Sequence, residues 1–292
     1  MSDIRSIQPD PSMIGGVPKA PFVHLPDASL FARRAARLRT RATGELGAYL
    51  SFLAEVAQAQ DAILSGLAEP QLPSQEALER ARAFAMPPLD RTASASDPAA
   101  RAACRRLFDA LADAPKPEAA QAALQRLRAA DDGMLERMIG SALAGAVPPD
   151  ELAGHVLVTA GLQVHFARLA AVMDAASLTP VRVGVCPVCG GAPAASIVVG
   201  WPGAEGARYA ACALCGTLWN EVRVKCLACG STEGVGLQEV EGQGGIAKAE
   251  TCDQCGSYVK MLYQDKDAGI EPLADDVASL GLDQLMSEGE YR

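Results

Sequence analysis

Residues 186–190 read CPVCG, and the same spelling returns as CALCG at 212–216, CLACG at 226–230 and CDQCG at 252–256. Two cysteines separated by two residues can turn both thiolates towards one ion. The glycine that follows tolerates backbone angles that let amide N–H groups point at sulfur. The four copies are periodic: Cys186 and Cys226, Cys189 and Cys229, Cys212 and Cys252, and Cys215 and Cys255 are each 40 residues apart. Within each half 22 residues separate the knuckles, and 10 separate one half from the next. This spacing is an internal duplication of one ribbon-like unit.

The equal spans predict sequential ligand sets. Cys186, Cys189, Cys212 and Cys215 would hold one mononuclear metal ion, and Cys226, Cys229, Cys252 and Cys255 a second. Tetrahedral tetrathiolate ligation suits zinc or a single rubredoxin-type iron equally. Iron–sulfur clusters also take four thiolates, but doubled knuckles fit a mononuclear site better. A thioredoxin-like redox pair needs one motif at a helix start, not four in strand-turn context. A site with four protein ligands keeps no open position, so metal-assisted hydrolysis is not expected, and the metals read as structural or electron-carrying.

Around this ribbon the chain changes texture. Alanine and leucine are abundant and aromatics make up only 4% of 292 residues, which favours helix over most of the length. The expected fold is a mainly α N-terminal helical bundle, then two tandem rubredoxin-like or zinc-ribbon β modules and a short C-terminal helix. The boundaries read as an extended arm at 1–27, an all-α domain at 28–178, modules at 179–222 and 223–268, and a helical tail at 269–292. Prolines and glycines crowd the arm. In the all-α domain four to six helices are expected. One runs through Leu46, Leu50, Leu53, Ala57 and Leu64 as a central bundle helix, one through Cys104, Phe108 and Leu111, and further helical runs cover 118–143 and 150–176.

The start of the chain has neither the basic head nor the apolar core of a secretion signal, which implies a cytoplasmic location. The most apolar long stretch, HVLVTAGLQVHFARLAAVM at 155–173, carries two histidines, a glutamine and an arginine, so no membrane insertion is expected. The net charge of −9 becomes more negative once thiolates are counted, which opposes nucleic-acid binding. A local basic patch of Arg208, Arg223, Lys225, Lys248 and Lys260 is the feature that a nucleic-acid-binding ribbon would use.

Other chemistry-bearing residues read as structural. Cys104 lies on the core face of its helix. His155 and His165 are ten residues apart on one helix, roughly 15 Å along its axis, too far to share an ion. Trp219 and Tyr258 pad the ribbon, and Asp275 and Asp276 read as helix N-terminal charges. The segment GLQEVEGQGG at 236–245 reads as a hairpin connection. No nucleophile–base spelling or phosphate loop stands out, so no enzyme is expected.

The strings PFVHLPDASLFARRAARL, CPVCG, RYAACALCGTLWNEVRVKCLACGS, AETCDQCGSYVKMLYQDKD and ADDVASLGLDQLM, in that order, resemble the formate dehydrogenase accessory protein family FdhE. Where that family often has a glutamate before the tryptophan after the second knuckle, this chain has Leu218. It also lacks the asparagine-proline tail of many members. The resemblance implies a cytoplasmic assembly factor with a helical domain and two rubredoxin-like modules, carrying iron or zinc on the eight cysteines. The implied partner is the immature catalytic subunit of a respiratory formate dehydrogenase. A nucleic-acid-binding zinc ribbon and a rubredoxin-type electron carrier remain alternatives. Nothing in the sequence specifies an oligomeric state.

Overall fold

The computed structural model describes residues 20–240 and 244–291. Most of the expected N-terminal arm, and the tip of the 236–245 connection, lie outside the described residues.

The helical part is built from α1 (Leu30–Arg41), α2 (Gly47–Ile63), α3 (Gln75–Ala83), α4 (Pro98–Ala110), α5 (Glu118–Ala129), α6 (Asp132–Ala144) and α7 (Leu152–Ala171). The single run expected over 118–143 is two helices. The Asp131 carboxylate accepts the Met134 N–H at 2.8 Å and so caps a new helix. Helix α3 carried no periodic signal strong enough to be read from sequence, because Ala81 is its one buried residue.

The centre of the bundle is α7, not α2. Leu157, Val158, Leu162, Val164 and Phe166 are all buried on it, and it packs against α2, α4, α5 and α6. A helix apolar on every side must be enclosed by others. Each such side chain contributes roughly 1.5–3 kcal/mol by leaving water. No described helix is long and apolar enough to cross a membrane.

The strands are β1 (Val23–His24), β2 (Pro193–Val198), β3 (Arg208–Cys212), β4 (Leu218–Glu221), β5 (Val235–Gln238), β6 (Ala247–Cys252) and β7 (Ser257–Tyr263). The two ribbon units share one seven-stranded sheet in the order β1-β4-β3-β2-β7-β6-β5. Each unit is an antiparallel meander, and the parallel pairing of β2 with β7 joins them, Ser196 opposite Met261 and Ile197 opposite Leu262. The arm supplies the edge strand. Val23 pairs with Trp219, and the Tyr209 hydroxyl donates to the Pro21 carbonyl at 2.9 Å.

The tail forms two helices, α8 (Pro272–Ala278) and α9 (Leu280–Ser287), because Ser279 breaks the run and its hydroxyl donates to the carbonyls of Asp275 and Asp276. Helix α8 docks on α1 through buried ion pairs. Arg34 meets Glu271 at 3.0 Å and Arg37 meets Asp275 at 2.7 Å. Asp275 is therefore a buried counter-ion rather than only a helix-end charge.

Candidate metal centre

Each knuckle is made by the end of a strand and the tight turn beyond it, or by the matching turn at the start of a unit. The N–H of Gly190 donates to the Cys186 carbonyl at 2.9 Å, and the counterparts at Gly230 and Gly256 do the same at 3.0 and 2.8 Å. Gly190, Gly216, Gly230 and Gly256 all take left-handed backbone, with φ from +67° to +81°. That conformation closes the turn behind the second cysteine, and in two knuckles amides within the turn point at the first cysteine's sulfur. Cys212 Sγ accepts the N–H groups of Leu214 and Cys215 at 3.4 Å each, and Cys226 Sγ those of Ala228 and Cys229 at 3.3 and 3.5 Å.

The eight thiols gather into the two sequential sets, with all sulfurs of a set within 4.8 Å of one another. The short edges are Cys186–Cys215 at 3.6 Å and Cys189–Cys212 at 3.4 Å in the first set. In the second they are Cys226–Cys255 at 3.6 Å and Cys229–Cys252 at 3.7 Å. A tetrahedron with metal–sulfur bonds of about 2.3 Å has edges of about 3.8 Å, so both cages fit a mononuclear zinc or iron. The same separations are far too long for disulfides.

The two cages differ in their surroundings. All four thiols of the first are buried, whereas Cys229 and Cys255 of the second are exposed. The helical domain makes the difference. Leu89 donates its N–H to the Val188 carbonyl inside the first knuckle at 3.1 Å. Gln163 on α7 donates its Nε2 to the Ala213 carbonyl inside the second at 2.9 Å. Gln60 on α2 holds Gln163 in place by donating to its Oε1 at 3.0 Å. These supporting residues escaped the sequence reading, because a lone glutamine on a helix has no local signature.

Protonation within the cages is uneven. Burial works against ionisation of Cys212, yet hydrogen bonds from the Cys186, Cys189 and Cys215 thiols hold it well below the ordinary thiol value. Hydrogen bonding to Ser257 pulls Cys255 down to about 6, while burial pushes Cys226 up to about 12. A metal arriving at either cage must displace the remaining thiol protons.

The other candidates are placed as follows. Cys104 is wholly buried under Gly161 of α7, and burial raises its pKa to about 12, so it is an inert core residue. His155 and His165 are both buried on α7. Trp219 is buried in the sheet, and the Tyr258 hydroxyl donates to Asp283 at 2.7 Å. The five basic residues do not form a patch. Arg208 and Lys260 are buried, on Glu250 and on Asp276 with Asp283 respectively; Lys225 pairs with Glu221, Lys248 with Glu239, and Arg223 donates to the Gly206 carbonyl.

Three family models cover the described chain almost end to end: "FdhE, N-terminal" matches residues 20–183, "FdhE, central domain" residues 185–223 and "FdhE, C-terminal domain" residues 224–292. A "Protein FdhE homolog" of Rhizobium meliloti (strain 1021) is 51% identical over 293 aligned residues, spanning 99% of this chain and 96% of that protein. "Protein FdhE" of Escherichia coli O9:H4 (strain HS) is 35% identical, over 90% of this chain and 85% of that protein. The crystal structure of the FdhE protein from Pseudomonas aeruginosa superposes with a TM-score of 0.82 at 30% identity, covering 93% of this chain and 96% of that one. A chain matched by the family over its helical, central and C-terminal parts alike, with both four-thiol cages formed, belongs to the FdhE family.

Proposed function

We propose that this chain is a cytoplasmic, non-enzymatic accessory protein that binds the immature catalytic subunit of a respiratory formate dehydrogenase and is needed for that enzyme's activity. Cys186, Cys189, Cys212 and Cys215 hold one zinc or iron ion, and Cys226, Cys229, Cys252 and Cys255 another. The observation that carries this reading is family membership along the whole described chain, with both cysteine sets gathered into four-thiol cages.

The chain's own residues suit a docking scaffold. A bound ion would cross-link the two knuckles of a unit, supplying folding free energy that so small a core cannot. Cages with four protein donors leave no position for a substrate. Leu89 and Gln163 then couple the first cage to the helices, so that a partner touching both parts meets one rigid surface.

Deletion of the gene should abolish respiratory formate dehydrogenase activity, and tagged chain should capture the catalytic subunit from cytoplasmic extract. Normal activity in the deletion strain together with no captured subunit would reject the reading. The exposed sulfurs of Cys229 and Cys255 favour one second reading, electron transfer at the second cage. It requires bound iron and a reversible visible absorbance change on reduction.

A further inference from the structure

An open groove of about 990 Å³ runs between α3, the loop after it and the segment leading into the first knuckle, and it reaches Cys189 and Gly190. Its rim carries Phe84, the most exposed large apolar side chain among the described residues, and two further exposed apolar side chains. Phe84 is 70% and Met86 57% exposed, with Leu72 beside them at 36%. Clustered apolar side chains left in water at a concave surface mark an interaction site rather than a core.

This rim is rigidly built. Helix α3 ends with the Met86 N–H donating to the Ala81 carbonyl at 2.8 Å and the Phe84 N–H to the Arg80 carbonyl at 3.1 Å. That closing turn requires left-handed backbone, and Ala85 adopts it at φ +47° without being glycine. Two residues further on, Pro87 lies against Gly190, and Leu89 is bonded to Val188 of the knuckle.

Charge identifies the occupant. Arg80, Arg91 and Arg182 line the groove and Arg82 borders it. None of these four guanidinium groups has a hydrogen-bond or ion-pair partner among the described residues. Elsewhere among the described residues most arginines meet a carboxylate, as Arg34, Arg37, Arg101, Arg105, Arg137 and Arg208 do, and the unpaired Arg106 and Arg126 lie outside this groove. The acids in the groove are already committed. Asp90 accepts from the N–H groups of Thr92 and Ala93, and Asp97 caps α4 at the Ala99 N–H and lies 3.5 Å from His165.

We propose that this groove is the docking surface for an acidic segment of the formate dehydrogenase catalytic subunit, its carboxylates meeting Arg80, Arg91 and Arg182 and its apolar side chains covering Phe84 and Met86. This identification of the surface rests on the function proposed above. Unpaired guanidinium groups beside desolvated apolar surface select carboxylates with adjoining aliphatic or aromatic residues, and steer their approach. Contact at this groove also reaches the first cage, which ties partner binding to the metal-held part of the molecule.

The test measures binding of the purified full-length chain to immobilised catalytic subunit at several salt concentrations. It compares wild type, R80E/R91E/R182E, F84S, and R126E/R128E/K266E, which makes the same net charge change on other surfaces. Circular dichroism and bound metal must match wild type. The groove reversal should weaken binding about tenfold or more, F84S severalfold, and the control less than about twofold, with wild-type affinity falling as salt rises. Equal binding by wild type and the groove reversal would overturn the groove while leaving the proposed function standing. So would equal weakening by the control, or a change in self-association alone. Failure of wild type itself to bind the subunit overturns both.

Discussion

Arg208 on β3 and Glu250 on β6 form a buried ion pair at 2.8 Å although two strands, β2 and β7, lie between them in the sheet. By register both side chains share one face with Val198, Tyr263 and Val259. The sheet must therefore coil enough for strands of different ribbon units to meet across it. The other arm of the guanidinium donates to the carbonyls of Val222, Arg223 and Lys225, at 3.4, 3.4 and 2.9 Å. One side chain thus holds both units and the linker between them.

Removal of either partner leaves an uncompensated buried charge. Arg208→Met should cost about 3–5 kcal/mol, read from urea denaturation at neutral pH. Burial raises the Glu250 pKa from its ordinary 4.5 despite the attraction of Arg208. A carboxyl raised in the folded state favours folding below its unfolded value, and this contribution is lost as pH rises through the folded value. Wild type should accordingly gain stability relative to Glu250→Gln, which has no titrating group there, as pH falls towards 4.5 from above. Loss of wild-type stability relative to Glu250→Gln over that range would contradict the raised pKa.

The two cages should differ in lability. Serine at Cys186, Cys189, Cys212 and Cys215 together should leave about one ion per chain in soluble protein, since each sequential set binds independently. In wild type a competing chelator should strip metal in two phases. The fast one should disappear when the second set is replaced, because Cys229 and Cys255 are open to water and the first set is not. A single phase, or loss of both ions on replacing one set, would contradict this arrangement.

Two backbone substitutions should act in opposite directions. Gly184, at φ +67°, lies so close to the Leu227 carbonyl of the other unit that any added Cβ meets it, so Gly184→Ala must shift one unit against the other. A cost of about 3 kcal/mol or more is expected, combining left-handed strain with overpacking. Ala85→Gly removes strain at an open surface and should gain about 0.5–1 kcal/mol, after the entropy cost of glycine in the unfolded chain. Thermal and urea unfolding of both variants provide the check.

The local features of this chain were legible without coordinates. The Cys-x-x-Cys-Gly knuckles, their duplication, the sequential grouping of Cys186 to Cys215 and of Cys226 to Cys255, and the helical texture up to residue 178 all depend on neighbours within a turn or on a fixed repeat. Their chemistry is written in adjacent residues. What only the tertiary structure decided involves partners far apart along the chain. These are the pairing of β2 with β7, which makes one sheet of two ribbons, and the pairing of Arg37 with Asp275 that seats the tail. They also include the burial of Arg208 and Lys260, which dissolves an apparent basic patch. The two cages carry the same spelling, yet one is sealed and the other open. Burial is set by what packs against a site, and Leu89 and Gln163 reach only the first.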